Sequence, residues 1–388
     1  MKTVSHHFSR SFPPHSPSVA EKVVHISSGQ KRERRKAASV RVSKKNGEAA
    51  IAHLRSIQLL DESLRIRVAE DSIIIPVLRR PSKDEAGAME KKIIRFQLEM
   101  DEFTEKTKRP RTLLEALEGQ LPPHLLASLP KSIDIVGEVA VVEIPPELRE
   151  HRKQIGEAIL KVNRNIHTVM AKAGAVSTPL RLRELENIAG KDKTETLYRE
   201  HGCIYRLDLK RVYFSPRLSF EHQRVAHQVG EGEVVVDMFA GVGPFSILIA
   251  KRLRDVRVYA IDVNPYAIRF LAENANLNNV RGKVTGILGD AEKIVEERLS
   301  GIADRVIMNL PTEAEKFVGT TCKALKPTGG IMHYYSFSDD PQPLDNAIEE
   351  LSQNISLAKR KVERLLHSRL MRPTAPHEWQ VVIDARII

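Results

Sequence analysis

Residues 234–245 read Val-Val-Val-Asp-Met-Phe-Ala-Gly-Val-Gly-Pro-Phe. An apolar run without alternation suits a strand buried on both faces, and the glycines after it permit a tight turn in which backbone approaches a ligand closely. Pro244 then stands near the start of a helix. The rest of the C-terminal half repeats the pattern of strand and helix. Strands are predicted at 233–239, 257–262, 283–288, 303–309 and 330–336, with helices at 244–253, 265–277, 290–299 and 312–325. That alternation implies an α/β fold, a parallel sheet covered by helices on both faces. Two extended stretches, 359–370 and 378–387, are separated by Pro373 and Pro376 and predict an antiparallel hairpin closing the sheet.

The glycine turn alone is shared by nucleotide-binding sheets of many kinds. The next strand, Val258-Tyr259-Ala260-Ile261-Asp262, puts Asp262 at its carboxyl end beside the turn, where ligands of open α/β sheets bind. A carboxylate there can accept hydrogen bonds from both hydroxyls of a ribose. Asn264-Pro265 suits the cap of the following helix. One strand later, Asp290 or the backbone of Ala291 could read an adenine edge, although Asp290 could equally be a plain helix cap. A dinucleotide site is the rival, but its G-x-G-x-x-G fingerprint fails here. Gly241-Val242-Gly243-Pro244-Phe245-Ser246 lacks the third glycine and puts a bulky Phe245 where the pyrophosphate would pass. S-adenosylmethionine, which has no phosphates, suits the turn better.

Charge points to the partner. Lys and Arg exceed Asp and Glu by 61 − 50 = +11. Residues 1–50 hold 11 basic and 3 acidic residues, or +8, leaving +3 for the remaining 338. A cationic N-terminal part on a nearly balanced body suits a polyanion: RNA, DNA or anionic lipid. Two cysteines, Cys203 and Cys322, make no disulfide framework and indicate a reducing compartment such as the cytoplasm. No Cys/His cluster has metal-ligand spacing, so no metal is expected, and no apolar run of 18 residues predicts a membrane span.

Residues 1–38 are rich in Ser, His, Pro and base, including Lys31-Arg32-Glu33-Arg34-Arg35-Lys36, and are expected to be a disordered basic head. The first acid is Glu21, as in a transit peptide, but Pro13-Pro14 interrupts any amphipathic helix. A small mixed domain is expected over 39–105, with strands at 39–42 and 71–78 and a helix at 47–59. A polar, basic linker follows at 106–111. A second domain is expected over 112–200. It has leucines at helical spacing from Leu113 to Leu121, a strand pair over 133–144 turning at Gly137-Glu138, and an amphipathic helix over 146–161. The sheet domain is then 202–388.

Asn309-Leu310-Pro311-Thr312 ends the fourth strand. It resembles the N-P-P-Y element of methyltransferases acting on planar nitrogen, in which the aromatic stacks on a flipped base. Leu310 and Thr312 depart from that pattern and point to a target other than an exocyclic amine. With Leu-Arg-Leu-Arg-Glu-Leu-Glu at 180–186, Val-Tyr-Phe-Ser-Pro-Arg-Leu at 212–218, the runs at 237–245, 261–265 and 306–311, and His333-Tyr334-Tyr335, the chain resembles the archaeal and eukaryotic type of tRNA (guanine-37 N1)-methyltransferase over about 39–388. The resemblance implies a class I, Rossmann-like methyltransferase sheet with a C-terminal antiparallel hairpin, preceded by two smaller α+β domains. The first of these would contact the tRNA elbow and the second would bind RNA. It implies S-adenosylmethionine as cofactor, tRNA carrying G37 as partner, and a monomer.

Residue by residue, the resemblance makes Glu221 the general base and Arg181 the arginine at the guanine, and sets Asn309 and Pro311 at the base. His222, Gly241, Asp262, Val263, Asp290, Ala291 and Asn309 fall on cofactor positions. Arg372 departs from relatives that carry Lys, and residues 1–38 have no counterpart. The chemistry agrees: guanine N1 carries a proton at neutral pH, which a carboxylate such as Glu221 can accept, while charge developing on O6 calls for an arginine. Arg181 could instead clamp phosphate and Glu221 could be a helix N-terminal acid. Aminocarboxypropyl transfer or methylation of a wyosine precursor on the same tRNA is the alternative activity. A non-catalytic RNA-binding protein is the alternative class.

Overall fold

The computed structural model describes residues 34–92, 95–105, 110–174, 182 and 184–388, and the chain divides into two compact units, Met1–Lys108 and Arg109–Ile388. The first contains β1 (Arg34–Ser43), α1 (Gly47–Ser56), β2 (Arg67–Val68), β3 (Ser72–Val77), α2 (Lys83–Lys92) and β4 (Phe96–Thr104). Its sheet runs β2-β3-β1-β4. Val40, Val42, Ile75 and Val77 bury against Leu54 of α1 and Met89 of α2. The head expected to be disordered through residue 38 is corrected here: residues 34–38 extend β1 and pair in register with Thr104 back to Met100 of β4. Backbone pairing needs no apolar side chain, and the charge finds partners, Arg35 bonding Asp61 at 2.5 Å. The rest of that expectation, residues 1–33, lies outside the described residues, as does most of the linker.

The second unit opens with α3 (Leu113–Leu117), α4 (Pro123–Ala127), β5 (Ile133–Val136), β6 (Val139–Val142), α5 (Arg152–Val162), β7 (Thr168–Lys172) and β8 (Leu185–Gly190). The strand pair turning at Gly137-Glu138 forms as expected, within a sheet ordered β5-β6-β7-β8. The helix expected over 146–161 starts as a 3-10 turn, Pro146–His151, and becomes α-helical from Arg152. Next comes an unexpected hairpin, β9 (Glu195–Glu200) and β10 (Cys203–Asp208). The division expected between residues 200 and 202 falls at its turn. Val136, Val139 and Met170 share one core with Tyr205, Val225 and Phe245.

The remaining elements are α6 (Ser219–Gln228), β11 (Val234–Asp237), α7 (Pro244–Arg252), β12 (Arg257–Asp262), α8 (Pro265–Leu277), β13 (Val284–Leu288), α9 (Ala291–Ile294), β14 (Arg305–Met308), α10 (Val318–Ala324), β15 (Gly330–Asp339), α11 (Pro343–Leu357), β16 (Val362–Ala375) and β17 (Glu378–Ile387). They build a seven-stranded sheet ordered β13-β12-β11-β14-β15-β17-β16. All five expected parallel strands are present, and the hairpin closes the sheet with β17 inside and β16 at the edge. α9 is shorter than expected and passes into a π-helical turn, Val295–Leu299. Two further helices, α6 and α11, cover the sheet, α11 burying Ala347, Leu351 and Ile355.

Candidate active site

The turn after β11 holds Gly241 at φ 55° and Gly243 at φ 89°, left-handed values that L side chains rarely adopt. A Cβ at Gly243 would also meet Ile247 and Leu271 at 3.1 Å, whereas at Gly241 the nearest atom is Tyr213 O at 3.8 Å, so that side of the turn is open. Asp262 fastens the turn to β12: its Oδ2 accepts from Gly241 N–H and its Oδ1 from Asn264 N–H, each at 2.8 Å. Each oxygen keeps a lone pair for a further donor. Burial pushes the Asp262 carboxyl up against the pull of the Asn264 and Gly241 N–H groups. Asn264 caps α8 through Tyr266 N–H at 2.9 Å, as expected of it.

Two exposed apolar side chains flank Asp262 at the strand ends: Val263, 45% exposed, and Leu288, 53% exposed, the β13 partner of Asp262 in register. Asp290 is a helix cap, accepting from Lys293 N–H at 3.1 Å, with Ala291 buried behind it. Asp237, not singled out as a site residue from the sequence, ends β11 fully buried. Its Oδ2 accepts from Ser246 at 2.7 Å, and its Oδ1 has no partner among the described residues. Burial, with the nearby Asp262 charge adding to it, pushes the Asp237 carboxyl up to about 7. A turn with two acids behind it repels a pyrophosphate and suits a cation. An open glycine, a ribose-type acceptor and exposed apolar side chains beside it thus fit S-adenosylmethionine.

Glu221, on the first turn of α6, is 1% exposed. Its Oε2 accepts from Arg224 Nε and from the Tyr335 hydroxyl, each at 2.9 Å, and its Oε1 accepts from Arg369 of β16. Burial would raise its pKa, but Arg369, Arg224 and Tyr335 outweigh burial and hold the carboxyl below its ordinary value. Tyr335 stays protonated: burial and the Glu221 charge push its pKa well above the ordinary value. Arg224 also donates both terminal nitrogens to buried Asp384 of β17, which accepts further from Gln228 at 3.0 Å and from His333 Nδ1 at 2.7 Å. His333 Nε2 faces Arg305 Nη1 at 2.9 Å, and a guanidinium can only donate. The ring is therefore the neutral tautomer with its proton on Nδ1, and burial lowers its pKa accordingly.

Asn309 follows β14 directly, and its carboxamide has no hydrogen-bond partner among the described residues. Met308 pairs with Tyr334, so Asn309 emerges beside Tyr335, the donor to Glu221. Pro311 is buried, its carbonyl accepting from Phe337 N–H at 3.3 Å. His222 stands next to Glu221 on the first turn of α6. Its ring is buried, Nδ1 lies 2.6 Å from Glu200, and its edge meets Phe245 at 4.6 Å between centroids. Its link to the glycine turn thus runs through Phe245. Arg181 lies outside the described residues. Arg224, Arg369 and Asp384 were not read from the sequence, because 148 residues separate Arg369 from Glu221 and 160 separate Asp384 from Arg224.

A glycine turn at the carboxyl end of the first parallel strand, a carboxylate ending the second, and the antiparallel closing hairpin define a class I, S-adenosylmethionine-dependent methyltransferase. Family models match along the chain: the tRNA methyltransferase 5 N-terminal domain at 39–85, the TYW2 N-terminal domain at 113–194, and the TRM5/TYW2 methyltransferase domain at 196–363. The tRNA (guanine(37)-N(1))-methyltransferase Trm5b of Pyrococcus abyssi is 38% identical over 349 residues, 90% of this chain and 98% of that protein. The chain therefore belongs to the archaeal and eukaryotic-type tRNA (guanine-37 N1)-methyltransferase family. A solved complex of aTrm5 with tRNALeu is 31% identical with a TM-score of 0.72, covering 90% of this chain and 99% of its own. A Pyrococcus horikoshii tRNA(Phe) (4-demethylwyosine(37)-C(7)) aminocarboxypropyltransferase is 32% identical over 279 residues, 72% of this chain and 97% of that protein.

Proposed function

We propose that this protein transfers a methyl group from S-adenosylmethionine to N1 of guanosine 37 in tRNA. The observation that carries the reading is the relative named for that reaction, matched over nine-tenths of this chain. When bound, the cofactor supplies an electrophilic methyl group on a sulfonium. Asp262 would hold its ribose, Val263, Asp290 and Ala291 its adenine, and Gly241 its approach to the turn. Glu221 accepts the N1 proton, and Asn309 with Pro311 orients the base from the adjoining strand end. Arg224 and Tyr335 keep Glu221 ionised and aimed, which leaves Oε1, now held by Arg369, as the oxygen to meet the substrate. Arg181 stabilises the charge on O6, an effect of about 2.7–4 kcal/mol for a donor of that kind.

In this reading the first unit contacts the tRNA elbow and the segment to residue 200 supplies further RNA surface. The protein acts as a cytoplasmic monomer, in keeping with its two buried free cysteines. Aminocarboxypropyl transfer is the second reading, favoured by the Pyrococcus horikoshii relative, but the match of residues 39–85 to a tRNA methyltransferase 5 domain favours methyl transfer. The test is incorporation of labelled methyl into a tRNA transcript carrying G37 against the same transcript carrying A37, with mass spectrometry of the modified nucleoside. Methylation of G37 alone is expected. An aminocarboxypropyl adduct, or equal labelling of A37, would overturn the reading.

A further inference from the structure

Arg369 makes two contacts at once. Its guanidinium donates to Glu221 Oε1, and its central carbon lies 5.0 Å from the centroid of the Phe220 ring, over its face. Phe220 is the residue before Glu221 and is 60% exposed, an unusual position for a large aromatic ring beside a buried carboxylate. The occupied space is therefore bounded by an aromatic face and a carboxylate oxygen, and what fills it is flat, cationic and rich in N–H donors. The N1–H, C2 and N2–H2 atoms of guanine are themselves a guanidine fragment, planar and presenting adjacent N–H donors to one side.

We propose that Arg369 is a placeholder. In the RNA-free protein it occupies the position that the N1–N2 edge of the target guanine takes on binding, and the incoming base displaces it from both Phe220 and Glu221. The inference rests on the reading of Glu221 as the group that meets guanine N1. It goes further by assigning Phe220 as the stacking surface and Arg369 as a positioning residue that keeps the site formed until the base arrives.

Three observations support the exchange. Arg369 is 37% exposed, on the edge strand of the sheet, so it can leave without unpacking the core. Its Nε is buried with no hydrogen-bond partner among the described residues, so its hold is incomplete. The other donors to Glu221, Arg224 and Tyr335, both lie on Oε2, so removing Arg369 frees Oε1 alone and leaves the carboxylate aimed. The exchange also selects. Adenine presents a bare N1 acceptor, which a carboxylate repels, and cannot replace the donors of the guanidinium, whereas guanine can.

The test is the affinity of the full-length protein, without cofactor, for transcripts carrying G37 or A37, measured by fluorescence anisotropy at one salt concentration. A competitor that must leave lowers apparent affinity only for the ligand that displaces it. Arg369→Met and Arg369→Lys should both therefore raise the ratio of G37 to A37 affinity, by about threefold or more, since an ammonium cannot copy a stacked planar fork. If instead Arg369→Met weakens both transcripts equally and Arg369→Lys restores both, Arg369 is a phosphate clamp and the placeholder is overturned. Glu221→Gln in single turnover keeps the two ideas apart. An undiminished rate there overturns the reading of the base, whereas an unchanged affinity ratio beside a slowed Glu221→Gln overturns the exchange alone.

Discussion

At Glu221 two oxygens receive three donors, none of them a helix-terminal amide. A carboxylate so held is ionised throughout the neutral range. Replacing it with glutamine should lower single-turnover methyl transfer by roughly 10²–10⁴, and chemical-quench time courses at saturating tRNA check this. Because the folded pKa lies below the ordinary carboxylate value, the acid limb of the free enzyme should fall below the usual carboxylate range and vanish in the glutamine variant. Asp237 has the opposite sign. Its carboxyl is raised to about 7, so the folded state favours the protonated form. Its contribution to stability is greatest below the unfolded value of about 3.9 and is lost as pH rises through about 7. Asp237→Asn should therefore raise the melting temperature of the cofactor-free protein at pH 8 relative to wild type and do so far less at pH 5. Equal shifts at both pH values would show that Asp237 is not buried as an acid. For Asp262→Ala, equilibrium dialysis should show cofactor binding weakened by about 1.5–3 kcal/mol, the usual size of a hydrogen bond to a charged group.

The elements around the site are joined by the chain Glu221–Arg224–Asp384–His333–Arg305–Glu233, which ties α6 to β17, β15, β14 and the start of β11. Asp384→Ala takes from Arg224 one of its two carboxylate partners and from buried His333 the acceptor of its Nδ1 proton, a change of the kind that costs about 3–5 kcal/mol. The unfolding free energy measured by urea titration should fall by that amount, and methyl transfer should fall with it as Arg224 loses its anchor. Little of this could be read along the sequence. The strands of the parallel sheet, the glycine turn and Asp262 were legible because each is a local pattern: an apolar run, a turn that only glycine makes, an acid at a strand end. Asp384 sits in the stretch Val-Val-Ile-Asp-Ala and resembles any strand residue until β17 is seen paired with β15, bringing it against His333. The helix α11 escaped for another reason. Its buried positions are spaced at 347, 351 and 355, but Asp345 and Asn346 ahead of them and Ser352 and Asn354 between them are indifferent helix formers, and a crossover into an antiparallel strand does not demand a helix.

For the whole molecule the distribution of positive charge matters more than its total. Residues 1–33 carry 5 basic and 2 acidic residues, 5 − 2 = +3, while residues 34–50 carry 6 − 1 = +5. Most of the N-terminal excess therefore lies on β1 and the turn that follows it. Deleting residues 1–33 should lower tRNA affinity and reduce the salt slope by no more than about five, one for each basic residue lost. Deleting 1–38 removes five paired residues from β1 and should destabilise that unit as well. A salt titration and a thermal scan of the two truncated proteins distinguish these outcomes.

The position of β17 also bears on when the protein can become active in the cell. The strand lies between β15 and β16, so the residues of the edge strand are made before the interior neighbour on which they pair. A nascent chain can present α6 and β11 to β16 while synthesis continues, but a domain folds as a unit. It cannot seat Asp384 beneath Arg224, nor fix Arg369 on β16, until residues 378–387 have cleared the ribosome. Chain synthesis thus leaves Glu221 without its aimed network until β17 is in place, so a prematurely terminated product that lacks this strand should modify no tRNA.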